Sequence, residues 1–156
     1  MVISFKNESD RQEALYALEI DMNEEIRATL QYICHRISSK GREEVIAESF
    51  KTAALDEMTH ILYFSNLITK YGGTPQFKDW QIDQSSELKM MLEADIQLEE
   101  SAKQRYKSQI DRFKEYSELV SILQSVLDDE EDHEEIFTRY LKKFTNSKFI
   151  DALDHE

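Results

Sequence analysis

The stretch Asp128-Asp129-Glu130-Glu131-Asp132-His133, set within Leu123-Gln-Ser-Val-Leu-Asp-Asp-Glu-Glu-Asp-His-Glu-Glu-Ile-Phe137, decides how this chain folds. Apolar residues recur around it at helical spacing: Val120, Leu123, Leu127, then Phe137, Leu141 and Phe144. Glu130 and His133 fill the gap in that stripe. Residues three apart share one helix face, so a carboxylate and an imidazole stand where the pattern demands core. Burying an ionised carboxylate among apolar neighbours is very costly unless something pairs with it, and a bound cation is one such partner.

Working outward, the same interruption recurs. A first helix is predicted from the caps in Asn7-Glu-Ser-Asp10 to about Ser39, ending at Gly41. Its stripe reads Leu15, Leu18, Met22, Glu25, Thr29 and Tyr32, with Glu25 as the odd member. A second helix is predicted from about Arg42 to Tyr71, stopped by Gly72-Gly73-Thr-Pro75. Its stripe is Ile46, Phe50, Ala53, Glu57, His60/Ile61, Phe64 and Ile68, which repeats Glu-x-x-His. A third helix begins near Ser85-Ser86 with the stripe Leu88, Leu92, Asp95, Glu99, Ala102, Tyr106 and Ile110. The turn to the fourth helix falls near residues 113–117, where no Gly or Pro marks it, and that helix runs to about Phe144. The tail 145–156 has room for a short fifth helix capped by Asn146 or Ser147, with Phe149, Ile150 and Leu153 as its apolar side.

Residues 72–85 carry no helical period. Fully extended they reach roughly 45 Å, the length of a 30-residue helix, so this connection can cross the whole bundle. Trp80 within it reads as a core plug, with a partner contact as the alternative.

Glu25 and Glu57 are 32 positions apart, and Glu99 and Glu130 are 31 apart. Gly41 lies 16 residues from each of the first pair, so the two carboxylates of that hairpin stand at one height. Two such hairpins packed face to face bring Glu25, Glu57, His60, Glu99, Glu130 and His133 to one level of an all-α four-helix bundle with a long crossover between its second and third helices. A Glu from each of two helices plus Glu-x-x-His from each of the others is the ligand set of di-iron and di-manganese carboxylate bundles. Carboxylate and imidazole suit both metals, and two dications offset four anions. His35 and His155 match no such element and read as ordinary, His35 near an interface or the surface and His155 in the tail.

Composition sets the bounds. The 156 residues suit one domain, with the bundle over about 9–144. A net charge of −13 argues against nucleic acid and is compatible with drawing in small cations, or serves solubility alone. No apolar run approaches the ~18 residues of a membrane span, Met-Val-Ile-Ser-Phe-Lys6 lacks a signal-peptide layout, and the single Cys34 fits a reducing interior; the expectation is cytoplasmic.

From about Leu18 to Leu141 the chain resembles the bacterioferritins, a branch of the ferritin-like superfamily. The segments that carry the resemblance are Glu25-Ile-Arg-Ala-Thr-Leu-Gln-Tyr32 with the following Ile-Cys-His35, Asp56-Glu-Met-Thr-His60, Met91-Leu-Glu-Ala-Asp-Ile-Gln-Leu-Glu99 and Asp129-Glu-Glu-Asp-His133. The resemblance implies Glu25 and His60 as terminal ligands of one iron, Glu99 and His133 of the other, and Glu57 and Glu130 as bridges. It places Tyr32 beside the centre, as an electron source, a hydrogen-bond donor or a plain core aromatic. It gives Asp95 the orienting of a ligand histidine, and Met58 the ligation of haem b across a two-fold dimer interface, where Thr29 and Lys51 are more polar than such a site suggests.

The implied activity is a ferroxidase that oxidises Fe(II) with dioxygen or hydrogen peroxide and stores Fe(III) inside a homo-oligomeric shell. Dimers would assemble into a 12- or 24-subunit cage, the shorter tail favouring the smaller. The alternatives are a rubrerythrin-type di-iron peroxidase without storage, for which the Cys-rich module is lacking, and an inert metal-binding bundle.

Overall fold

The computed structural model describes the backbone of residues 5–153 and the side chains of 5–144. Four helices follow in order: α1 (Glu8–Ser39), α2 (Glu44–Lys70), α3 (Leu88–Arg112) and α4 (Ser117–Leu153). Asn7 caps α1, its side-chain oxygen accepting from the Asp10 amide at 2.8 Å. Gly41, at φ 86°, makes the short turn into α2. At the far end of α2 the amides of Gly72 and Gly73 bond back to the carbonyls of Thr69 and Ile68, at 3.0 and 2.9 Å. That pairing closes the helix with a left-handed residue, here Gly72 at φ 85°. At Gly73 a Cβ would meet the tip of Leu15 at 2.8 Å and the Ile68 carbonyl at 3.3 Å, so α1 and the end of α2 are closely packed here.

α1 and α2 form one hairpin and α3 and α4 the other. They pack so that α1 faces α3 and α2 faces α4. Two apolar clusters result. One holds Leu18, Met22, Phe64, Tyr106 and Leu123; the other holds Tyr32, Phe50, Met91, Leu92 and Phe137. The stripe residues that are not apolar fall between these clusters, as their position in the periodic pattern requires.

The α3–α4 turn escapes a sequence signal because none is needed. Phe113, itself buried, ends α3 with its amide on Gln109, and its carbonyl then accepts from Tyr116. A buried aromatic anchors the corner in place of a glycine.

The crossover, residues 71–87, is pinned along α1. Asn23 donates to the Gln76 carbonyl and accepts from the Lys78 amide, both at 2.9 Å. Gln31 accepts from the Asp83 amide at 2.9 Å. Trp80 is not a core plug: it is half-buried, with the Arg27 guanidinium 5.8 Å from its ring centre. A connection tied by its backbone to α1 lies on the bundle, so its indole rests against that surface rather than entering it.

The expected break after Phe144 is also absent. α4 continues without interruption to Leu153, because no Gly or Pro separates Ser117 from that point. Extra turns of α4 therefore replace the short fifth helix, and Asn146 and Ser147 lie within the helix instead of capping a new one. His155 lies outside the described residues. Among those described, no helix is long and apolar enough to cross a membrane.

Candidate metal centre

Six side chains from four helices converge between the two apolar clusters. α1 brings Glu25, α2 Glu57 and His60, α3 Glu99, and α4 Glu130 and His133; all six are buried. They resolve into two groups. Donor atoms of Glu25, Glu57, His60 and Glu130 lie within 4.8 Å of one another, and so do those of Glu57, Glu99, Glu130 and His133. Glu57 and Glu130 belong to both.

The imidazoles turn the same ring nitrogen inward. His60 Nδ1 lies 3.2 Å from Glu130, 3.3 Å from Glu57 and 3.6 Å from Glu25. His133 Nδ1 lies 3.0 Å from Glu57 and 3.4 Å from Glu99. Four buried atoms here make no hydrogen bond: Glu57 Oε1, Glu99 Oε2, Glu130 Oε1 and His133 Nδ1. Buried polar atoms are nearly always paired, so orphans converging on one point fit cations held between them. Hard carboxylate oxygens with neutral imidazole suit Fe(II) or Mn(II).

Without cations the cluster must hold protons. Burial and the charges of Glu57 and Glu99 push Glu130 far above the carboxylate range, while Glu57, against burial, is held below its ordinary value by the His133 and His60 imidazoles beside it. Burial would lower His60, but the Glu130 and Glu57 carboxylates beside it push it up to about 11. Incoming dications would displace these protons.

Two tyrosines close the centre from the α1 and α3 sides. Tyr32 donates to Glu99 and Tyr106 donates to Glu25. Burial raises both phenols well above their usual range, so each keeps its proton as a donor. By sequence Tyr106 is one more member of the α3 stripe, with no role of its own. The signal was present: Tyr106 follows Glu99 by seven residues, as Tyr32 follows Glu25.

Two expectations need correction. Asp95 does not touch a ligand histidine; it takes bonds from Gln31 and His35, at 2.8 and 2.7 Å. His35 is neither at a surface nor ordinary. It is fully buried between Asp95 and Asp83, the second at 2.9 Å. Its spacing from Glu25 puts it on the α3-facing side of α1, which only the packing reveals. The residues that reach His60 and His133 are Asp129, 2.8 Å from His60 Nε2, and Asp56, 2.8 Å from His133 Nε2.

Met58 stays apart from the cluster. It is 49% exposed on the outer side of α2, with Leu55 and Leu62 exposed one turn to either side. Thr29 turns inward and donates to the Glu25 carbonyl at 2.7 Å, so it does not share Met58's surface. Between α2 and α4 a groove of about 710 Å³ runs from solvent to His133, past Ala53, Ile136 and Phe137 and beside Asp56, Asp129 and Asp132.

A family model described as a ferritin-like domain matches residues 15–147. A ferritin-like, diiron-carboxylate protein from Bacillus anthracis is similar at 29% identity, with 85% of this chain and 97% of that one covered and a TM-score of 0.77. Mycobacterial bacterioferritin is similar at 25% identity, covering 90% of this chain and 89% of that one at TM-score 0.80. A dodecameric thioferritin from Bacteroides fragilis shares the fold, at 19% identity over 88% of this chain and 89% of that one and TM-score 0.82. No curated protein matches the chain.

Proposed function

The chain belongs to the ferritin-like domain family, and from that premise we propose that it is a ferroxidase of the bacterioferritin kind. Its substrate is Fe(II), oxidised to Fe(III) with dioxygen or hydrogen peroxide and then stored in a homo-oligomeric shell. The observation that carries this reading is the sharing of Glu57 and Glu130 between two four-residue donor groups. Two carboxylates common to both groups hold a pair of cations close enough to act on one oxidant molecule. Each Fe(II) gives up one electron, and the oxidant takes both.

The other residues follow from their contacts. Glu25 with His60, and Glu99 with His133, complete the two positions. Tyr32 and Tyr106 hold the terminal carboxylates Glu99 and Glu25 by one hydrogen bond each, which fixes their orientation while the shared pair stays free to shift. The net charge of −13 raises the local concentration of cations, and the groove beside Asp56 and Asp129 gives them a path inward. Manganese would fit the same donors.

Met58, exposed with Leu55 and Leu62 on an outer face of α2, supports a haem b held by its sulfur between two copies of the chain. Homo-oligomerisation is supported by the relatives, of which the Bacteroides fragilis protein is a dodecamer. We place the protein in the cytoplasm, with no nucleic-acid or membrane partner.

The test is anaerobic loading followed by oxidant. Two Fe(II) per chain should bind and oxidise rapidly, and Glu57→Ala and Glu130→Ala should each abolish the fast phase. Unchanged rates in both variants would overturn the assignment. The mass of the assembly separates storage from a rubrerythrin-type peroxidase: a shell of twelve or more copies that retains mineral supports the first, a dimer that turns over peroxide without it the second.

A further inference from the structure

Four side chains close a ring of hydrogen bonds at the α3 end of the crossover, and none of them is among the six donors of the metal centre. Gln31 and His35 come from α1, one turn apart, Asp95 from α3 and Asp83 from the crossover itself. Gln31 donates to Asp95 Oδ1 at 2.8 Å and accepts from the Asp83 amide at 2.9 Å. His35 completes the ring, with Nδ1 2.7 Å from Asp95 Oδ2 and Nε2 2.9 Å from Asp83 Oδ2. His35 and Asp95 are fully buried, whereas Asp83 is 33% exposed. The charged groups facing the imidazole are therefore Asp95 on α3 and Asp83 on the crossover. On its α2 side lies the uncharged Phe50 ring, with centres 5.6 Å apart, and α4 stands behind that ring with Phe137.

An ionised carboxylate can only accept, so both imidazole nitrogens must carry a proton for the two contacts to hold. We propose that His35 is a proton-operated clasp on the crossover: as the doubly protonated ring it ties Asp83 to α1 and α3, and as the neutral ring it lets the Asp83 end go. The neutral ring keeps one N–H. Asp95, fully buried, cannot lose that donor without a large cost. Asp83 reaches solvent and keeps Ser85, whose hydroxyl and amide donate to it at 2.8 and 3.1 Å. The remaining proton therefore stays on Nδ1, and the Nε2 lone pair is turned on Asp83 Oδ2, which repels it. What still holds that end is the single amide bond to Gln31, while Asn23 continues to pin the crossover at Gln76 and Lys78. Asp83 is also one wall of a groove of about 480 Å³ on the outer side of α1 and α3, together with Arg27, Gln31, Leu98 and Arg105, so its release widens that groove.

The sign follows from the surroundings. Burial alone would lower the imidazole, but the bonds and charges of Asp95 and then Asp83 outweigh it and hold His35 above 6.5. The clasp is thus closed at and below the ordinary histidine value and opens as pH rises through the folded one. Trp80, the single tryptophan, lies between the Asn23 tie and the clasp and reports on that stretch. Its emission, and hydrogen exchange of peptides covering residues 79–87, can be followed on the assembled protein from below the ordinary histidine value to just short of the tyrosine range. As pH rises, the emission should move to the red. Exchange, corrected for its intrinsic pH dependence, should quicken by about tenfold in a one-proton step, with residues 74–78 unchanged.

Two variants separate the clasp from general loosening. His35→Gln offers one donor side to two carboxylates, so residues 79–87 should exchange at the fast level at every pH. Asp83→Asn can accept from the charged ring and donate to the neutral one, so its crossover should stay closed as pH rises. A step that persists in His35→Gln, or that Asp83→Asn leaves intact, overturns the proposal, as does a flat response in the unaltered protein. Should the buried His35→Gln fail to fold, Asp83→Asn decides alone, because its site is partly exposed and its amide oxygen still accepts from Ser85.

Discussion

The two seams between the hairpins are built from the same sequence devices and do different work. Along the α2–α4 seam, Asp-Glu-x-x-His meets Asp-Glu-x-x-His, and the contacts are reciprocal: Asp129 with His60, Asp56 with His133. Along the α1–α3 seam each helix carries Asp four residues before its Glu and Tyr seven after, and the tyrosines reciprocate, Tyr32 to Glu99 and Tyr106 to Glu25. The aspartates there keep the crossing but change the chemistry. Asp21 is held by Arg105 at 2.9 Å and Gln109 at 2.8 Å, whereas Asp95 is held by Gln31 and His35. Gln31 and Arg105 occupy matching places six residues after their Glu, and His35 and Gln109 matching places ten after. The approximate two-fold repeat thus survives where the cations would sit and is broken one layer out. One buried aspartate faces a permanent cation and the other a titratable one.

The largest effect expected from this comparison separates shared from terminal donors. Glu57→Ala should lose both metals, whereas Glu25→Ala should lose one; Co(II) stoichiometry by equilibrium dialysis decides it. Equal losses would break the two-group arrangement of the centre.

On the α1–α3 seam, Asp21→Ala leaves the Arg105 guanidinium without its buried partner and should cost about 3 kcal/mol, read from urea unfolding. Burial pushes Asp21 up to about 6 even with Arg105 beside it, so the pair is under electrostatic load already. A loss well under 1 kcal/mol would mean that the guanidinium finds water instead.

Tyr106→Phe and Tyr32→Phe each remove one hydrogen bond to a terminal carboxylate and should each cost about 1–2 kcal/mol of stability in the metal-free protein. Similar values for the two would show that the repeat extends to energy as well as geometry.

The smallest effect is the pH response that distinguishes the halves. Burial lowers the His35 imidazole, but the bonds and charges of Asp95 and Asp83 outweigh it and raise His35 above 6.5. A histidine whose folded value is raised contributes stability that is complete below the unfolded value and is lost as pH rises through the folded one. Urea midpoints should therefore fall as pH rises above 6.5 by more in the unaltered protein than in His35→Gln. Arg105, on the other half, does not itself titrate in this window, but Arg105→Gln removes the charge that holds Asp21 down to about 6, so the fall in stability with rising pH should steepen.

The cluster of candidate donors was legible because it violates a pattern. Glu25, Glu57, Glu99 and Glu130 each stand in an apolar stripe, and both histidines sit one turn after a glutamate, so period and residue type identify them together. Asp56 and Asp129 could be seen as neighbours of that motif, but their partners could not, since helical spacing favours the wrong histidine. Tyr106 hid because a tyrosine in an apolar stripe needs no explanation until its hydroxyl is seen to end on Glu25. His35 was misplaced for the opposite reason. A polar residue off the apolar stripe resembles surface until a crossover strap covers it.

By itself the sequence determined four helices, the length and place of the crossover, and six donors at one level, all of which are local or periodic properties of the chain. The tertiary structure decided which donors are shared, which aspartate serves which histidine, how Asp83 buries His35, and that α4 runs on through Leu153. The second and third depend on side chains brought together from residues 48 to 77 positions apart, and helical periodicity carries no information about partners at that range. The last reflects a helix in which no Gly or Pro interrupts the run from Ser117 through Leu153.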